Sequence, residues 1–376
     1  MKIDFSSSWG PSLGVEWELA LVDLDTRELT SASNEILAEI GPDGGTHPKA
    51  KHELLQSCVE IITDVCATVE EVRADLATTA AEVQAAAGRR GLGILCSGSH
   101  PITDWATQDI SDDERYRALV ERNQWLARQL QIFGVHVHVG VREPDKAIPI
   151  VNALLAYLPH LLALSASSPY WIGCDTGLAS YRSKIFEALP TAGLPYQLSG
   201  WDEFERYMEL LISTNAIQTV REVWWDIRPH PNFGTVEVRI CDGLPTLDEV
   251  TAVAALAQCL VDQMDTQLDR GYQLPEPRAW IVRENKWRAA RYGLNARLVD
   301  SFTLQPYPVR QIVANQMERL RPIADQLECR PYLERVATIA AGPSWADRQL
   351  AMLRETGDPR EVVRRMTERQ TIPALV

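Results

Sequence analysis

Several short segments of the chain alternate between apolar and polar residues, which is the pattern of strands with one buried face. The alternation runs through residues 12–22, 135–141 and 235–240, and residues 92–96 form a shorter apolar run. Residues 52–63 also have an extended character. Because polar side chains recur on one face of these strands, the pattern disfavours a parallel sheet covered on both sides.

Helical patterns fill most of the intervening chain. Thr68 with Glu71, and Ser111 with Glu114, have the spacing of capping boxes, and the second of these helices is expected to continue to Gln131. Further helices are predicted at residues 150–164, 202–213, 246–269, 308–328 and 330–341. Strands separated by helices of unequal length predict an α+β fold with a mainly antiparallel sheet.

No linker rich in Pro, Gly or Ser divides the chain, so we expect one domain over residues 1–345 and a charged, loosely packed tail over residues 346–376. Residues 147–174 contain no Asp, Glu, Lys or Arg, but Pro149 and Pro159 interrupt them. We therefore interpret this stretch as a buried helix and a loop, not as the roughly 20 apolar residues of a membrane span. Seven irregularly spaced cysteines and the lack of an apolar N-terminal run predict a cytoplasmic protein.

The net charge of the chain and its distribution along the sequence limit the classes of binding partner. With 37 basic and 51 acidic residues, the 376-residue chain has a net charge of −14, which disfavours nucleic acid as a partner. Acidic residues dominate the start, with 11 against 4 basic residues in positions 1–60, whereas positions 278–376 contain 17 basic and 11 acidic residues. A net negative charge does not exclude a small anion that binds through cations.

Carboxylates occupy the polar face of the first predicted strand. Glu16 and Glu18 are two residues apart, so they share a face and lie about 6.6–6.8 Å apart along the strand. This spacing suits two Mg²⁺ ions bridged by other ligands, because each Mg²⁺ takes only one or two protein carboxylates together with phosphate oxygens. The alternative is a solvent-exposed strand face that binds nothing.

Two imidazoles share a face of another predicted strand. His136 and His138 alternate with Val135, Val137 and Val139. Two histidines on an apolar strand need partners, and these could be a metal ion, a phosphate or polar groups of the core. A zinc hydrolase also uses an HxH motif, but the remaining histidines form no second pair that would complete its ligand set.

Two further pairs of charged residues could bind a metal ion or a phosphoryl group, depending on how the fold arranges them. Glu237 and Arg239 share a strand face, either as a surface ion pair or as a metal ligand beside an arginine that holds a phosphoryl group. Glu53 and Glu60 are seven residues apart and would lie on opposite faces of an unbroken strand. They can converge only if the strand bends or bulges near residues 56–57.

A basic cluster is predicted on a C-terminal helix. Arg288 and Arg291 are helical neighbours with Lys286 close by, beside aromatic residues, so they suit either a polyphosphate or a solvated surface. No Walker A motif and no kinase glycine loop with its lysine is present, so metals and arginines would have to hold a nucleotide triphosphate.

Five motifs, taken in order, resemble the glutamate–cysteine ligase family, in particular its bacterial carboxylate–amine ligase branch, which is related to glutamine synthetase. The motifs are residues 14–18 (GVEWE), 97–101 (SGSHP), 134–140 (GVHVHVG), 234–239 (GTVEVR) and 284–289 (ENKWRA). The resemblance extends from about residue 10 to residue 340. It implies a curved, mainly antiparallel sheet that forms a funnel, with helices packed outside.

The resemblance also implies roles for individual residues. It implies metal-ligand positions at Glu16, Glu18, Glu53, Glu60, His136 and Glu237. It further implies that Arg239 lies next to the phosphates, that His138 faces the nucleotide and that Arg182 binds a substrate carboxylate or phosphate. Lys286, Arg288 and Arg291 are the candidates for the other side of the same polyphosphate.

The reaction implied by the resemblance is ATP-dependent formation of an amide. Two or three Mg²⁺ ions, with Mn²⁺ as a substitute, would bridge the ATP phosphates. The γ-phosphoryl group would pass to the side-chain carboxylate of glutamate or a similar acid, and an amine such as cysteine would displace phosphate. Glutamate–cysteine ligase activity itself is expected to be weak, and the residues leave the amine and the oligomeric state open, a homo-oligomer included.

Three other functions are compatible with the motifs. A guanidino phosphotransferase has a similar sheet but depends more on arginine than on carboxylates that hold metals. A metal-dependent hydrolase could use His136 and His138 without ATP. A non-catalytic binding module would have the same ligand residues and no turnover.

Overall fold

The computed structural model describes residues 1–369. Its strands are β1 (Leu13–Asp23), β2 (Ala50–His52), β3 (Cys58–Ile62), β4 (Leu92–Leu95), β5 (Gly134–Gly140), β6 (Tyr170–Trp171), β7 (Cys174–Asp175), β8 (Ala192–Gly193), β9 (Trp224–Trp225), β10 (Ile227–His230), β11 (Thr235–Asp242), β12 (Arg297–Val299) and β13 (Pro306–Pro308). Its α-helices are α1 (Ser33–Ile40), α2 (Val69–Gly88), α3 (Glu114–Asn123), α4 (Trp125–Arg128), α5 (Pro144–Leu154), α6 (Leu158–Ser165), α7 (Arg182–Phe186), α8 (Trp201–Ser213), α9 (Leu247–Asp269), α10 (Ala279–Tyr292), α11 (Val309–Gln326), α12 (Arg330–Ala341), α13 (Trp345–Thr356) and α14 (Pro359–Arg369).

Seven strands form the central sheet, in the order β10-β11-β5-β1-β3-β2, and β4 pairs with the C-terminal end of β1. Every pairing in this sheet is antiparallel. The prediction of an α+β fold with a mainly antiparallel sheet is therefore confirmed. The long strand β1 lies at the centre, so residues of β5 and β3 are its neighbours on the two sides.

The two faces of the sheet differ in chemistry. Apolar residues such as Val15, Trp17, Val137 and Val238 point to one face and are buried there. Helices α2, α5 and α9 pack against this face, and α9 also packs against α2, α11 and α12. Because side chains alternate along a strand, the acids and imidazoles of the same strands lie on the opposite face.

The chain reverses direction between Glu53 and Glu60 and does not continue as one bent strand. Strands β2 and β3 form an antiparallel pair in which Lys51 lies opposite Glu60. In the connecting turn, the backbone N–H of Gln56 donates to the carbonyl oxygen of Asp109 (2.9 Å). The prediction of a bend or bulge in a continuous strand is therefore wrong. Because the two acids belong to different segments of a hairpin, the rule that residues seven positions apart on one strand lie on opposite faces does not apply to them.

Helix α3 differs from its predicted form at both ends. Asp113, not Ser111, caps the helix by accepting a hydrogen bond from the backbone N–H of Arg115 (2.7 Å), and the Ser111 hydroxyl donates instead to the carbonyl oxygen of Glu53. The helix ends before Gln124, whose positive φ of 49° is incompatible with helical continuation. The predicted capping box and the helix length are both wrong here.

The predicted buried helix at residues 150–164 consists of two helices, α5 and α6, that meet at an angle of 63°. Pro159 lies in the first turn of α6, where its missing N–H costs nothing, so it starts a new helix more readily than it continues an old one. No single helix in residues 1–369 has the length and apolar composition to span a membrane, and this bent pair meets those two criteria only when its members are taken together.

The charged C-terminal segment packs against the rest of the chain. Val362, Val363 and Met366 of α14 are buried in a cluster that includes Leu95 of β4. The charges lie on the outer side, where Arg365 pairs with Glu361 (3.0 Å). Loose packing is therefore wrong for the described part of this segment, whereas residues 370–376 of the predicted tail lie outside the described residues. The domain boundary at residue 345 stays a prediction.

Candidate active site

The polar face of the sheet brings carboxylates and imidazoles together through its strand register. Glu16 lies opposite His136, and Glu237 lies opposite His138. The Nδ1 atom of His136 donates to Oε2 of Glu16 (2.9 Å), and Nδ1 of His138 is 3.0 Å from the hydroxyl of Thr235. The Nε2 atom of His138 is 3.6 Å from Glu16 and 3.9 Å from Glu237, distances longer than a hydrogen bond. This buried nitrogen therefore points at two carboxylates and bonds to neither.

Three more acids form the adjoining part of the cluster. Glu18 lies opposite Glu60, and the hairpin brings Glu53 beside them. Burial, followed by the charge of Glu53, raises the pKa of Glu18 to about 8, even though the backbone N–H of Gly134 donates to it (2.6 Å). Burial and neighbouring acids also raise the pKa of Glu60 well above its usual range. The carboxylates of Glu18 and Glu60 therefore resist ionisation unless a cation lies beside them.

Three overlapping groups of side chains can each direct ligand atoms, within 4.8 Å of one another, at a metal ion. The groups are Glu16 with His138 and Glu237, Glu16 with Glu60 and His136, and Glu18 with Glu53 and Glu60. Burial and the charge of Arg239 lower the pKa of His136 to about 4, so its imidazole is neutral at pH 7, the form that binds metals. Carboxylate oxygens, neutral imidazole and unbalanced negative charge together fit divalent cations such as Mg²⁺ or Mn²⁺.

Two guanidinium groups hold Glu237 in place. Arg228 donates from Nε to Oε2 of Glu237 (2.6 Å), and Arg239 pairs with the other carboxylate oxygen. Burial opposes ionisation of Glu237, but the charges of the two arginines hold its pKa well below the usual range. Arg182 lies nearby and donates to the carbonyl oxygens of Arg239 and Ile240 (3.3 Å). Fixed positive groups therefore border the acidic cluster on one side.

The cluster forms the floor of an open cavity of about 260 Å³. Arg115 and Arg122 of α3 line the cavity, as do Arg221 and the aromatic ring of Phe233. The cavity thus combines an acidic floor with basic groups, and a metal-bound polyphosphate has complementary charge to both.

Nine of the twelve predicted site residues line this cavity. They are Glu16, Glu18, Glu53, Glu60, His136, His138, Arg182, Glu237 and Arg239. The geometry is compatible with the predicted roles, which stay predictions.

The basic cluster of α10 is not part of the cavity lining. Lys286 is buried and pairs with Asp226 (2.5 Å) and Glu187. Arg288 pairs with Glu284 (2.7 Å). The guanidinium of Arg291 lies 5.0 Å from the ring centroid of its neighbour Tyr292. The positions of these three residues do not support the predicted contact with the nucleotide, because each of the three already contacts another side chain of the protein.

Sequence reasoning missed several residues that the fold brings to the cavity. Arg228 lies between the apolar residues Ile227 and Pro229, and this was a signal that it has a buried partner. Lys51 precedes Glu53 by two residues, which indicated a shared strand face. Phe233 lies in a turn before Gly234 and carried no such signal, because its position depends on the register of β10 and β11.

Gly134 leaves space for Arg182, and this can be tested. A Cβ atom at position 134 would lie 2.4 Å from Nη2 of Arg182. We expect Gly134→Ala to displace this guanidinium and to lower the free energy of unfolding by about 1–3 kcal/mol, the usual cost of overpacking. Urea denaturation measures the effect. The control is Gly88→Ala at the end of α2, where a Cβ atom meets nothing within 4 Å. Equal stabilities of the two variants would contradict this account of Gly134.

Comparisons with known proteins agree on one family. The sequence profile described as glutamate–cysteine ligase family 2 matches residues 12–369. A Frankia alni protein with the provisional name glutamate–cysteine ligase 2-1 is 57% identical over 371 residues, which cover 98% of this chain and 97% of that protein. A Thermobifida fusca protein with the provisional name glutamate–cysteine ligase 2 is 50% identical over 365 residues, with coverage of 96% and 92%.

Solved structures share the fold at much lower identity. The glutamate–cysteine ligase of Francisella tularensis, in complex with AMP, aligns with a TM-score of 0.72 at 13% identity and covers 99% of this chain and 91% of its own. A bifunctional glutathione synthetase from Pasteurella multocida aligns with a TM-score of 0.70 at 15% identity, covering 96% of this chain and 52% of its own.

Proposed function

Because the chain belongs to glutamate–cysteine ligase family 2, we propose that it is an ATP-dependent carboxylate–amine ligase that forms a γ-glutamyl amide. The family assignment made from the five sequence motifs is thereby confirmed. The observation that best supports the proposed chemistry is the overlap of three ligand groups on one sheet face, beside the two arginines that pair with Glu237. Of the functions compatible with the motifs, the ligase is the one that agrees with the family.

Residues of this chain would hold two or three divalent ions. Glu16 and Glu60 each belong to two ligand groups, so each would contact neighbouring ions. When bound, Mg²⁺ or Mn²⁺ supplies positive charge that offsets the phosphate oxygens and the charge that develops during phosphoryl transfer. The floor of the cavity thus positions the polyphosphate, and the arginines act on its exposed oxygens.

Amide formation needs two chemical steps. First, a side-chain carboxylate oxygen of glutamate attacks the γ-phosphorus of ATP, and the bond to ADP breaks, which leaves an acyl phosphate. Next, the amine attacks the acyl carbon and loses a proton, and phosphate leaves. Arg239 would stabilise the equatorial oxygens of the transferring group. Arg182 would bind the substrate carboxylate or a phosphate, since its guanidinium lines the same cavity.

The reaction can be tested by measuring ADP release with Mg-ATP, glutamate and a panel of amines that includes cysteine. We expect release to depend on both the carboxylate and one of the amines, with the matching amide detected by mass spectrometry. ADP formation that no amine accelerates would argue against a ligase. A phosphorylated guanidine as the product would indicate the phosphotransferase instead.

An aromatic platform lies at the edge of the cavity. The rings of Phe233 and His230 are stacked, with centroids 4.2 Å apart and an interplanar angle of 13°. His138 contacts both rings edge-on. Phe233 is 55% exposed although it is a large apolar residue, so one face of the pair is available. We place the adenine base on this face, since π-stacking suits a planar base next to the residues assigned to phosphate.

Replacing Phe233 with alanine is expected to weaken ATP binding about tenfold, the size of one lost base–aromatic stack. Calorimetric titration with a non-hydrolysable ATP analogue and Mg²⁺ measures the loss. Phe233→Trp should keep the affinity, because it retains a flat ring. Phe302→Ala removes another exposed phenylalanine, outside the cavity lining, and serves as the matched control. Similar affinities for Phe233→Ala and Phe302→Ala would place the base elsewhere.

A further inference from the structure

Lys51 brings an ammonium group into the acidic cluster. Its backbone lies opposite Glu60 in the β2–β3 pair, so both side chains extend from the same face of the sheet. The Nζ atom is 2.7 Å from Oε1 of Glu60 and 3.9 Å from Oε1 of Glu16. These two carboxylates, together with His136, form one of the three ligand groups. The ammonium therefore contacts the same two acids that a metal ion of this group would bind.

The ammonium of Lys51 and a divalent metal ion cannot both contact Glu16 and Glu60 in this way, because the two cations repel each other. Lys51 contributes a single positive charge to two acids that a divalent ion would bind more strongly. An ammonium and a divalent ion that contact the same carboxylates would repel each other over a few ångströms. Arg228 and Arg239, by contrast, are paired with Glu237 on the other side of the cluster.

The side chain of Lys51 can also move its ammonium group away from the two carboxylates. Its side chain is 50% exposed, whereas Glu60 is buried. A lysine stem with four methylene groups can turn its ammonium toward solvent or toward an anion in the cavity without a change in the backbone. The carboxylates, which sit on paired strands of the central sheet, would stay in place.

We propose that Lys51 is a displaceable counter-cation of the ligand group formed by Glu16, Glu60 and His136. It pairs with the acids in the metal-free protein and gives up that place when the divalent ion binds. This inference rests on the proposed function, because it assumes that this group binds a metal ion. It makes Lys51 a positioning residue that stabilises the acidic cluster when no ion is bound and lowers the affinity of the cluster for metal.

The test compares Lys51→Met, in which a neutral side chain of similar length replaces the lysine, with the unmodified full chain. Calorimetric titration with Mn²⁺, without nucleotide, should show tighter binding by on the order of tenfold, since a competing positive charge is gone. Thermal melting in EDTA should show a lower midpoint than for the unmodified protein. Lys51→Arg keeps the charge and should bind Mn²⁺ like the unmodified protein.

Lys49→Met is the matched control. Lys49 lies two residues earlier and pairs with Asp64 (2.6 Å) and Asp75, outside the cavity lining. Its loss should lower the melting midpoint in EDTA without tightening Mn²⁺ binding. If Lys51→Met does not fold without metal, Lys51→Gln is measured in the same way.

The outcomes separate this inference from the proposed function. If the unmodified protein binds Mn²⁺ and neutral replacements of Lys51 bind it equally or more weakly, the inference is overturned and the ligase proposal stands. If the unmodified protein binds no Mn²⁺, both the metal centre and the inference fail. Tighter binding in Lys49→Met as well would mean that general charge, not displacement, sets the affinity, and this too overturns the inference.

Discussion

Glu16→Gln is expected to lower amine-dependent ADP formation about 1000-fold, because one substitution weakens two of the three ligand groups that would neutralise the reacting phosphates. Glutamine keeps the shape of the side chain and removes its charge. The substitution also weakens the partner of His136, whose Nδ1 donates to this carboxylate (2.9 Å). Both effects act on the polyphosphate region, so the loss should appear mainly in kcat/KM.

The measurement is steady-state ADP release at saturating glutamate and amine with the Mg-ATP concentration varied, which gives kcat/KM for ATP, followed by Mn²⁺ titration of the same variant without nucleotide. Glu35→Gln is the matched control, because Glu35 is an exposed residue of α1 outside the cavity lining. The control should retain full activity and Mn²⁺ binding. A loss of less than about tenfold in Glu16→Gln would be too small for a residue shared by two metal positions.

Glu237→Gln is expected to lower the free energy of unfolding by about 3–5 kcal/mol, because it leaves Arg228 and Arg239 without their shared counter-ion in a buried place. Glu237 is 1% exposed, so water cannot replace the lost carboxylate. Removing one charge of a buried ionic group costs more than the group contributes as a whole, since the remaining charges are left unpaired.

Urea denaturation of the metal-free protein measures this cost. Glu284→Gln is the control, because Glu284 pairs with Arg288 (2.7 Å) where both side chains are partly exposed, and such pairs contribute roughly 0–1 kcal/mol. The double variant Arg228→Gln with Glu237→Gln should recover part of the stability, since one of the two unpaired charges is gone. A loss in Glu237→Gln no larger than in the control would contradict the buried ionic arrangement.

Local patterns predicted the residues of the floor well, because strand geometry is a local property. The alternation around Glu16 and Glu18, and around His136 and His138, set which side chains share a face before any tertiary contact was known. The same rule placed Glu237 and Arg239 together, and the structure pairs them. This rule does not say which strands are neighbours. That Glu16 lies opposite His136 could therefore be seen only in the structure.

Features set by chain direction or distant partners were not predictable from local patterns. Glu53 and Glu60 were misread as members of one strand, because a hairpin and a bent strand can have the same spacing of apolar residues. The basic residues of α10 looked free in sequence, but Lys286 has two acidic partners from other segments, of which Asp226 is buried. The charge of α14 likewise concealed an apolar stripe that fits against β4.

The central position of β1 also bears on how the protein folds. Glu16 and its hydrogen-bond partner His136 are separated by 120 positions, and Glu237, which lies opposite His138, comes from a still later strand. Such non-local pairing slows folding, because each long loop must close before its contacts form. Residues 1–60, with 11 acidic and 4 basic side chains, leave a ribosome before their imidazole and guanidinium partners exist. A nascent chain of this length therefore contains every member of one ligand group, Glu18 with Glu53 and Glu60, whereas the other two groups also need residues of β5 and β11. Metal binding by all three groups would require that these later strands have joined the sheet.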